Sequence, residues 1–186
     1  MPESNPWKTL DSRIVYTNPW ITVREDQVIR PDGAPGIYGV VETRIATGVL
    51  ALTPDMRLYL VGQYRYTMEQ YSWEIIEGGT DPGESPLAAI KRELREEAGL
   101  TADHWVAIGG ETHMSNCHSS ERGRLFVATG LHEGEAEPEG TEVLALRCVP
   151  FQEAVRMVTA GEIQDAFSVI GILLLDRLLR EGKTFT

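Results

Sequence analysis

The most constraining feature of this 186-residue sequence is a strand, a double-glycine turn and a helix that follow one another near the middle of the chain. The apolar character of residues 73–76 predicts a short strand that ends at Gly78-Gly79. Beyond a loop, Ser85 can cap a helix and Gly99 suits the left-handed residue that ends one. We therefore expect a helix over residues 86–98. It follows a glycine turn whose backbone is not shielded by side chains.

The predicted helix has an apolar stripe and a separate row of carboxylates. At about 100° per residue, its apolar side chains fall on one face that can pack on a sheet. Three glutamates at i, i+3 and i+4 share a second face, where they repel one another unless a cation lies between them. Hard divalent ions such as Mg²⁺ and Mn²⁺ prefer oxygen ligands and suit such a row. The stripe consists of Leu87, Ile90, Leu94 and Ala98, and the row, which we name the acidic ridge, of Glu93, Glu96 and Glu97.

A second interpretation of the acidic ridge needs no cation. Glutamate-rich helices are commonly solvated faces, and Arg92 and Glu96 have the i, i+4 spacing of an ion pair. The preceding loop favours the metal interpretation, because the glycines at 78 and 79 let backbone carbonyls approach an ion. Glu84, just before the helix, can reach back toward it. The whole segment therefore predicts a site for a divalent cation.

Strand signals dominate the chain before this segment, and strands alternate with helices after it. Such alternation after an antiparallel start indicates an α/β layered domain. We expect a strand-rich N-terminal segment over residues 1–45 and the main domain over residues 46–186. The remaining predicted strands cover residues 13–17, 20–24, 27–30, 37–41, 47–52, 58–64 and about 106–112, 125–129 and 143–149, and two helices cover about 151–160 and 164–180.

Charge and cysteine usage narrow the partners and the compartment. Seventeen Lys and Arg residues against 28 Asp and Glu residues give a formal net charge of −11 at pH 7, so the chain lacks the basic surface that non-specific nucleic-acid binding needs. The apolar run at residues 169–175 is too short for a membrane span of roughly 20 residues. Cys117 and Cys148 lack CxxC spacing, which favours a reducing compartment. With no basic-then-apolar start, we expect a cytoplasmic protein that has no membrane partner.

Residues 78–100 match the Nudix box, GX5EX7REUXEEXGU with U a bulky apolar residue, at every constrained position. On these residues the chain resembles the Nudix hydrolase family. The resemblance implies a Nudix-type α/β/α sandwich with a mixed sheet. It also implies hydrolysis of a nucleoside diphosphate linked to another moiety, with Mg²⁺ as the cofactor and Mn²⁺ as a substitute.

The resemblance also implies roles for the residues that fill the box. Glu93 and Glu97 would be the principal metal ligands, and Glu96 an additional or bridging ligand with a catalytic part. Arg92 would orient a glutamate as a catalytic residue. The backbone carbonyl of Glu77 would be a further metal ligand. Gly78 and Glu84 would support the loop.

Three segments outside the box are similar to the branch of the family that hydrolyses ADP-ribose and other nucleoside diphosphate sugars. Gln63-Tyr64-Arg65 resembles that branch's QXR strand, which implies that Arg65 contacts a substrate phosphate. Trp73-Glu74-Ile75 resembles its (W/L)E-apolar segment, which implies substrate-binding roles for Trp73 and Glu74. Residues 115–121 stand where the branch has a mobile loop ending in a catalytic glutamate, so Glu121 is the candidate general base.

The partner and the exact substrate follow from the same resemblance with alternatives. The strand-rich N-terminal segment is similar to that of members that form homodimers by exchanging it, so we expect a homodimer. Asn116 departs from the ADP-ribose pattern, which has a proline there, and this leaves GDP-mannose and other sugar nucleotides open. Two other functions stay open: a nucleoside triphosphate or RNA 5′-end pyrophosphohydrolase, and a non-catalytic module that senses a nucleotide.

Overall fold

A computed structural model describes residues 4–137 and 143–185 of the chain. The chain divides into two compact units. The first contains the described part of Met1–Arg44 together with His113–Arg122, and the second contains Ile45–Thr112 and the described part of Gly123–Thr186. Residues 113–122 thus join the N-terminal unit although they are distant from it along the chain, which no sequence signal indicated.

The first unit is built on an antiparallel three-stranded sheet with the order β1-β2-β3. The turn between β2 and β3 contains Gly33 at φ +83°, a left-handed conformation that glycine adopts without strain. The strands predicted over residues 20–24 and 27–30 form one strand, because Glu25 and Asp26 between them stay in register with β3. The strands are β1 (Lys8–Thr17), β2 (Ile21–Ile29) and β3 (Pro35–Thr43).

The segment 113–122 is hydrogen-bonded to β3 within the first unit. The Val41 amide donates to the His118 carbonyl at 2.8 Å, and the Ser120 amide donates to the Val41 carbonyl at 2.9 Å. The Tyr38 hydroxyl donates to the Cys117 carbonyl at 2.6 Å. These bonds give the loop that carries Glu121 a fixed attachment to the third strand.

The described part of the second unit contains two sheets, three α-helices and a 3-10 helix over Tyr66–Met68. One sheet is antiparallel with the order β10-β5-β6, and the other is mixed with the order β7-β4-β9-β8, in which β4 runs parallel to β9 and antiparallel to β7. No helix in the described part of the chain is long and apolar enough to cross a membrane. The elements are β4 (Ala46–Ala51), β5 (Arg57–Arg65), β6 (Gln70–Glu74), β7 (Ile76–Gly79), α1 (Pro86–Ala98), β8 (Leu100–His113), β9 (Arg122–Glu133), β10 (Ala145–Pro150), α2 (Phe151–Thr159) and α3 (Ala166–Arg180).

Helices cover both faces of β4, as the predicted sandwich requires. Alternate side chains of a strand point to opposite faces, and those of β4 are buried on both sides. Val49 belongs to the apolar cluster that includes Ile90 and Leu94 of α1. On the opposite side, Leu50 approaches Gly171 of α3. The chain therefore has the mixed-sheet α/β fold that the sequence predicted.

The strand predicted over residues 73–76 is wrong in one respect. The chain leaves one sheet after Glu74, the last residue of β6, and enters the other at Ile76, the first residue of β7. Ile75 lies between the two strands and belongs to neither. A run of four residues gives no periodicity that could reveal such a change of sheet.

Helix α1 has the predicted ends but a shifted buried face. The Ser85 hydroxyl accepts a hydrogen bond from the Ala88 amide at 3.2 Å, and Gly99 ends the helix at φ +64°. Leu87 is 37% exposed, contrary to its place in the predicted stripe. The buried face is displaced around the helix away from Leu87, and its residues are Ala89, Ile90, Leu94, Glu97 and Ala98.

Candidate active site

The turn between β7 and α1 brings a glutamate of the helix onto a glycine of the strand. Gly78 pairs with Thr47 of β4, and the Thr47 hydroxyl donates to the Gly78 carbonyl at 2.9 Å. A Cβ atom at Gly78 would lie 2.1 Å from Cδ and Oε1 of Glu93. No side chain larger than hydrogen can occupy position 78 while Glu93 stays where it is. The carboxylate of Glu93 therefore lies against the backbone of the turn.

Arg92 connects the loop, the turn and the acidic ridge. Its guanidinium donates to Oε1 of Glu93 at 2.7 Å and to Oε2 of Glu96 at 3.2 Å. The same group donates to Oε2 of Glu84 at 3.1 Å and to the Gly79 carbonyl at 3.1 Å. These hydrogen bonds, first among them those to Glu84, raise the pKa of Arg92 above its ordinary value, so the group stays charged. One cation thus holds carboxylates from two parts of the box.

Glu84 fixes the loop before the helix. Its Oε2 accepts the Asp81 amide at 2.9 Å, in addition to the bonds from Arg92. Arg92 and then the Asp81 amide lower the pKa of Glu84, because both favour the ionised carboxylate. These bonds join Glu84 to the loop and to the helix, and its loop-supporting role stays a prediction.

The glutamates of the acidic ridge differ in exposure. The side chains of Glu93 and Glu96 are 15% and 19% exposed, and Glu96 also accepts from Arg95 at 3.0 Å. Glu97 is only 7% exposed and lies on the buried side of α1. Carboxylates on a helix surface are usually solvated. A buried carboxylate is rare unless a cation or a hydrogen-bond donor compensates its charge. The ridge is therefore a partly desolvated group of carboxylates.

The donor chemistry of the ridge fits a hard divalent cation. Carboxylate and carbonyl oxygens are the ligands that Mg²⁺ and Mn²⁺ prefer, and the Glu93 carboxylate lies against Gly78, the residue that follows Glu77 in β7. Within residues 4–137 and 143–185, no group of three or more His, Cys, Asp or Glu side chains is arranged to hold a metal ion. Arg92 instead supplies the positive charge to Glu93 and Glu96.

The side chain of Glu77 belongs to a partly buried network that sequence reasoning missed. Its Oε1 accepts a hydrogen bond from the Ser168 hydroxyl of α3 at 2.8 Å. Burial raises the pKa of Glu77 well above its ordinary value, and the adjacent Asp165 carboxylate raises it further. Asp165 precedes α3 as its capping residue, which is the one local signal that marks this region. The sequence had assigned a role only to the backbone carbonyl of Glu77.

Arg65 and Glu74 form one ion pair across the neighbouring strands β5 and β6. Arg65 Nε lies 3.0 Å from each carboxylate oxygen of Glu74, and a second nitrogen of Arg65 also bonds to it. Glu74 is 1% exposed, whereas the Arg65 side chain is 40% exposed. The bond to Glu74 is the main cause of the raised pKa of Arg65. Arg65 is thus the more exposed member of the pair, and the substrate-binding roles of both residues stay predictions.

Trp73 lies on the same pair of strands. Its ring is 5.6 Å from the Tyr71 ring at an interplanar angle of 72°, and the Arg147 guanidinium lies 5.6 Å from its centroid. Trp73 is partly exposed, so it is neither a core residue nor a free surface ring. Its predicted contact with substrate stays a prediction.

Glu121, the candidate base, belongs to the first compact unit. Its amide donates to the Ser119 hydroxyl at 3.0 Å, and its carbonyl accepts from the Met114 amide at 3.2 Å. These two bonds close the loop at its ends. They leave the catalytic assignment of Glu121 as a prediction.

Two protein families match consecutive parts of the chain. Residues 7–41 match the nucleoside diphosphate sugar hydrolase N-terminal domain, and residues 42–167 match the NUDIX domain. The second match covers more than half of the chain and includes every residue of the box.

Similar proteins carry related names. The chain is 34% identical over 170 residues to an ADP-ribose pyrophosphatase of Mycobacterium tuberculosis. The alignment covers 90% of this chain and 82% of that protein. The chain is 28% identical over 170 residues to an ADP-ribose pyrophosphatase of Bacillus subtilis, covering 90% of this chain and 91% of that protein. The crystal structure of an ADP compounds hydrolase has the same fold, with a TM-score of 0.85, 23% identity and coverage of 98% of each chain.

Proposed function

The chain belongs to the NUDIX family, and from this premise we propose that it hydrolyses the pyrophosphate bond of a nucleoside diphosphate sugar, ADP-ribose included. The products are a nucleoside monophosphate and a sugar phosphate. The observation that carries the proposal is the position of Arg92, which joins Glu84, Glu93 and Glu96 beside the Gly78 turn. A surface that only solvates charge needs no such convergence of loop, turn and helix.

The substrate class is supported by the family match of the N-terminal segment and by the similar proteins. The N-terminal match is to a domain of nucleoside diphosphate sugar hydrolases, and the similar proteins of M. tuberculosis and B. subtilis are named ADP-ribose pyrophosphatases. The chain covers 82% and 91% of those proteins, so the likeness extends over most of their length. The particular sugar and base are left to the assay below.

The proposed mechanism assigns a task to each group of residues. A divalent cation, when bound, supplies the positive charge that lets a nucleophile approach a diphosphate. Glu93, Glu96 and Glu97 would hold it together with the Glu77 carbonyl, and Arg92 would fix the orientation of the Glu93 and Glu96 carboxylates. Arg65, held by Glu74 and partly exposed, binds a phosphate oxygen. Water attacks phosphorus, the bridging P–O bond breaks, and Glu121 takes the proton.

We further propose that two chains form a homodimer through the N-terminal sheet. Every residue of β1 is exposed, including the apolar side chains of Leu10, Ile14 and Val15. An exposed strand with apolar side chains is a common protein-interaction surface. Sedimentation analysis should give a dimer for the wild type and a lighter species for Ile14→Asp. A wild-type monomer would contradict the dimer without affecting the proposed reaction.

The proposed compartment is the cytoplasm. Cys117 and Cys148 are both free thiols in the structure. Free thiols persist in reducing compartments, whereas secreted proteins commonly pair them. Cell fractionation tests this location.

The reaction is tested with a panel of substrates in Mg²⁺ and in Mn²⁺. The panel contains ADP-ribose, GDP-mannose and UDP-glucose. We expect the enzyme to release a nucleoside monophosphate from at least one of them. Glu93→Gln and Glu97→Gln should abolish turnover while circular dichroism stays unchanged, because each removes one hard ligand charge. Glu181→Gln, at an exposed residue that follows α3, is the matched control.

Each alternative function predicts a different result. Pyrophosphate released from ATP or from 5′-triphosphorylated RNA, with no cleavage of nucleotide sugars, would replace the proposal with a triphosphate hydrolase. Calorimetric binding of ADP-ribose with no product after hours would replace it with a nucleotide-sensing module. Near wild-type rates in Glu93→Gln or Glu97→Gln at saturating Mg²⁺ would overturn the metal assignment.

A further inference from the structure

The backbone between β6 and β7 is held by a side chain from α3 rather than by a sheet. Ile75 lies where the chain passes from one sheet to the other and is part of neither strand. Its amide donates to the Ser168 hydroxyl at 3.0 Å. Ser168 is 0% exposed, so this bond is made in the interior. A buried backbone amide without a ladder partner needs such an acceptor.

The same hydroxyl also reaches the residue just before the double glycine. Ser168 Oγ accepts from the Ile75 amide and donates to Oε1 of Glu77 at 2.8 Å. One oxygen atom therefore holds two positions of the chain, 75 and 77, on either side of the first residue of β7. Because Glu77 directly precedes Gly78, the bond fixes the entry into the turn that faces Glu93.

The first turn of α3 is itself fixed. Asp165 caps it by accepting a hydrogen bond from the Ser168 amide at 2.7 Å. Phe167 fills the space beside two glycines: a Cβ at Gly48 would lie 2.9 Å from its ring, and a Cβ at Gly123 2.6 Å. These contacts pack the first turn of the helix closely against β4 and β9. Ser168 is thus a rigid point of attachment.

We propose that Ser168, supported by Asp165, is a positioning residue for the metal site: it fixes the backbone of residues 75–77 so that the Glu77 carbonyl and the Glu93 carboxylate face the same point. This rests on the proposed function, in which Glu77 and Glu93 are metal ligands. Ser168 acts through the strand and does not contact the cation. Thr47 holds the Gly78 carbonyl from β4, so the turn is held by β4 on one side of β7 and by α3 on the other.

The proposal predicts a loss of metal affinity that is separate from a loss of stability. Groups that orient metal ligands typically change affinity by 10- to 100-fold when they are removed. Ser168→Ala should therefore weaken Mn²⁺ binding by roughly tenfold. Ser168→Thr keeps the hydroxyl and should bind Mn²⁺ more tightly than Ser168→Ala. Ile172→Val, at another fully buried position of α3, should lower the melting temperature without changing Mn²⁺ affinity.

The experiment is a titration of each intact variant with Mn²⁺, in which electron paramagnetic resonance measures the free ion, alongside melting curves. Equal Mn²⁺ affinity in the wild type and Ser168→Ala would overturn the positioning role, as would an equal weakening in Ile172→Val. A wild type that binds Mn²⁺ more tightly than Ser168→Ala but cleaves no nucleotide sugar would support the positioning role and overturn the proposed function. A wild type that binds no Mn²⁺ would overturn both.

Discussion

The carboxylate of Glu93 lies against Gly78, so closely that a Cβ atom on this glycine would be 2.1 Å from Cδ and Oε1 of Glu93. This contact explains why the box needs a glycine at its first position. A helix carboxylate can reach the backbone of the preceding strand only if no side chain stands between them. The contact also links the sheet to the acidic ridge of Glu93, Glu96 and Glu97.

Gly78→Ala should lower kcat for nucleoside monophosphate release by about 100-fold, because displacing a positioned group by about 1 Å costs roughly that much. Gly79→Ala is the control, since a Cβ at Gly79 would meet nothing within 4 Å. The control should lose much less activity. Equal losses in the two variants would mean that the contact with Glu93 is not what requires the glycine.

Arg92→Lys should lower kcat by roughly 10- to 100-fold, as removal of a ligand-orienting group does. A lysine has one point of charge and cannot reproduce the planar set of donors that bonds Glu84, Glu93 and Glu96 together. Arg95→Lys is the matched control, because the Arg95 side chain is 56% exposed and bonds Glu96 at the surface. Steady-state kinetics at saturating Mg²⁺ checks the prediction, which fails if both lysine variants retain wild-type rates.

Arg65→Lys and Glu74→Gln should each raise KM by roughly tenfold, since a hydrogen bond to a charged group contributes about 1.5–3 kcal/mol. We expect Glu74 to act by holding Arg65, so the double variant should be little worse than either single one. Arg57→Lys, near the other end of β5, is the control. Additive effects on KM in the double variant would show that the two residues act independently.

Glu121→Gln should lower kcat by roughly 10²–10⁴-fold with little change in KM, which is the signature of a lost general base. Glu111→Gln, on β8 before the loop, controls for a general loss of negative charge. An unchanged kcat would assign proton abstraction to another residue.

The first unit should lose stability in acid through Asp26. Hydrogen bonds from Arg24 and then from Ser12 lower the pKa of Asp26 in the folded chain. A carboxyl group whose folded pKa is depressed contributes stability above its unfolded pKa of about 3.9, and that contribution is lost as the pH falls through the folded value. Melting temperatures should therefore fall below about pH 4, and less steeply in Asp26→Asn. Asp55→Asn, in a turn of the second unit, should follow the wild type; equal slopes in all three would exclude Asp26 as a cause.

The sequence by itself determined the local parts of the protein: the capped helix α1, the glycine that ends it, and the spacing of the acidic ridge. Capping, helical periodicity and motif spacing are properties of neighbouring residues, so they can be read along the chain. The mixed α/β fold also followed, because strands and helices alternate in order. The buried position of Glu97 did not follow, since it depends on which face of α1 meets the sheet.

Only the tertiary structure decided how distant segments support that ridge. Ser168 and Ile75 are 93 residues apart along the chain, and nothing local to either residue predicts their hydrogen bond. The change of sheet at Ile75 and the pairing of residues 113–122 with β3 are likewise set by contacts between distant segments. Burial and strand pairing depend on how all segments of the chain pack together, so neighbouring residues alone do not determine them. The spacing of the acidic ridge was therefore visible in the sequence, whereas the contacts that support it from distant segments were not.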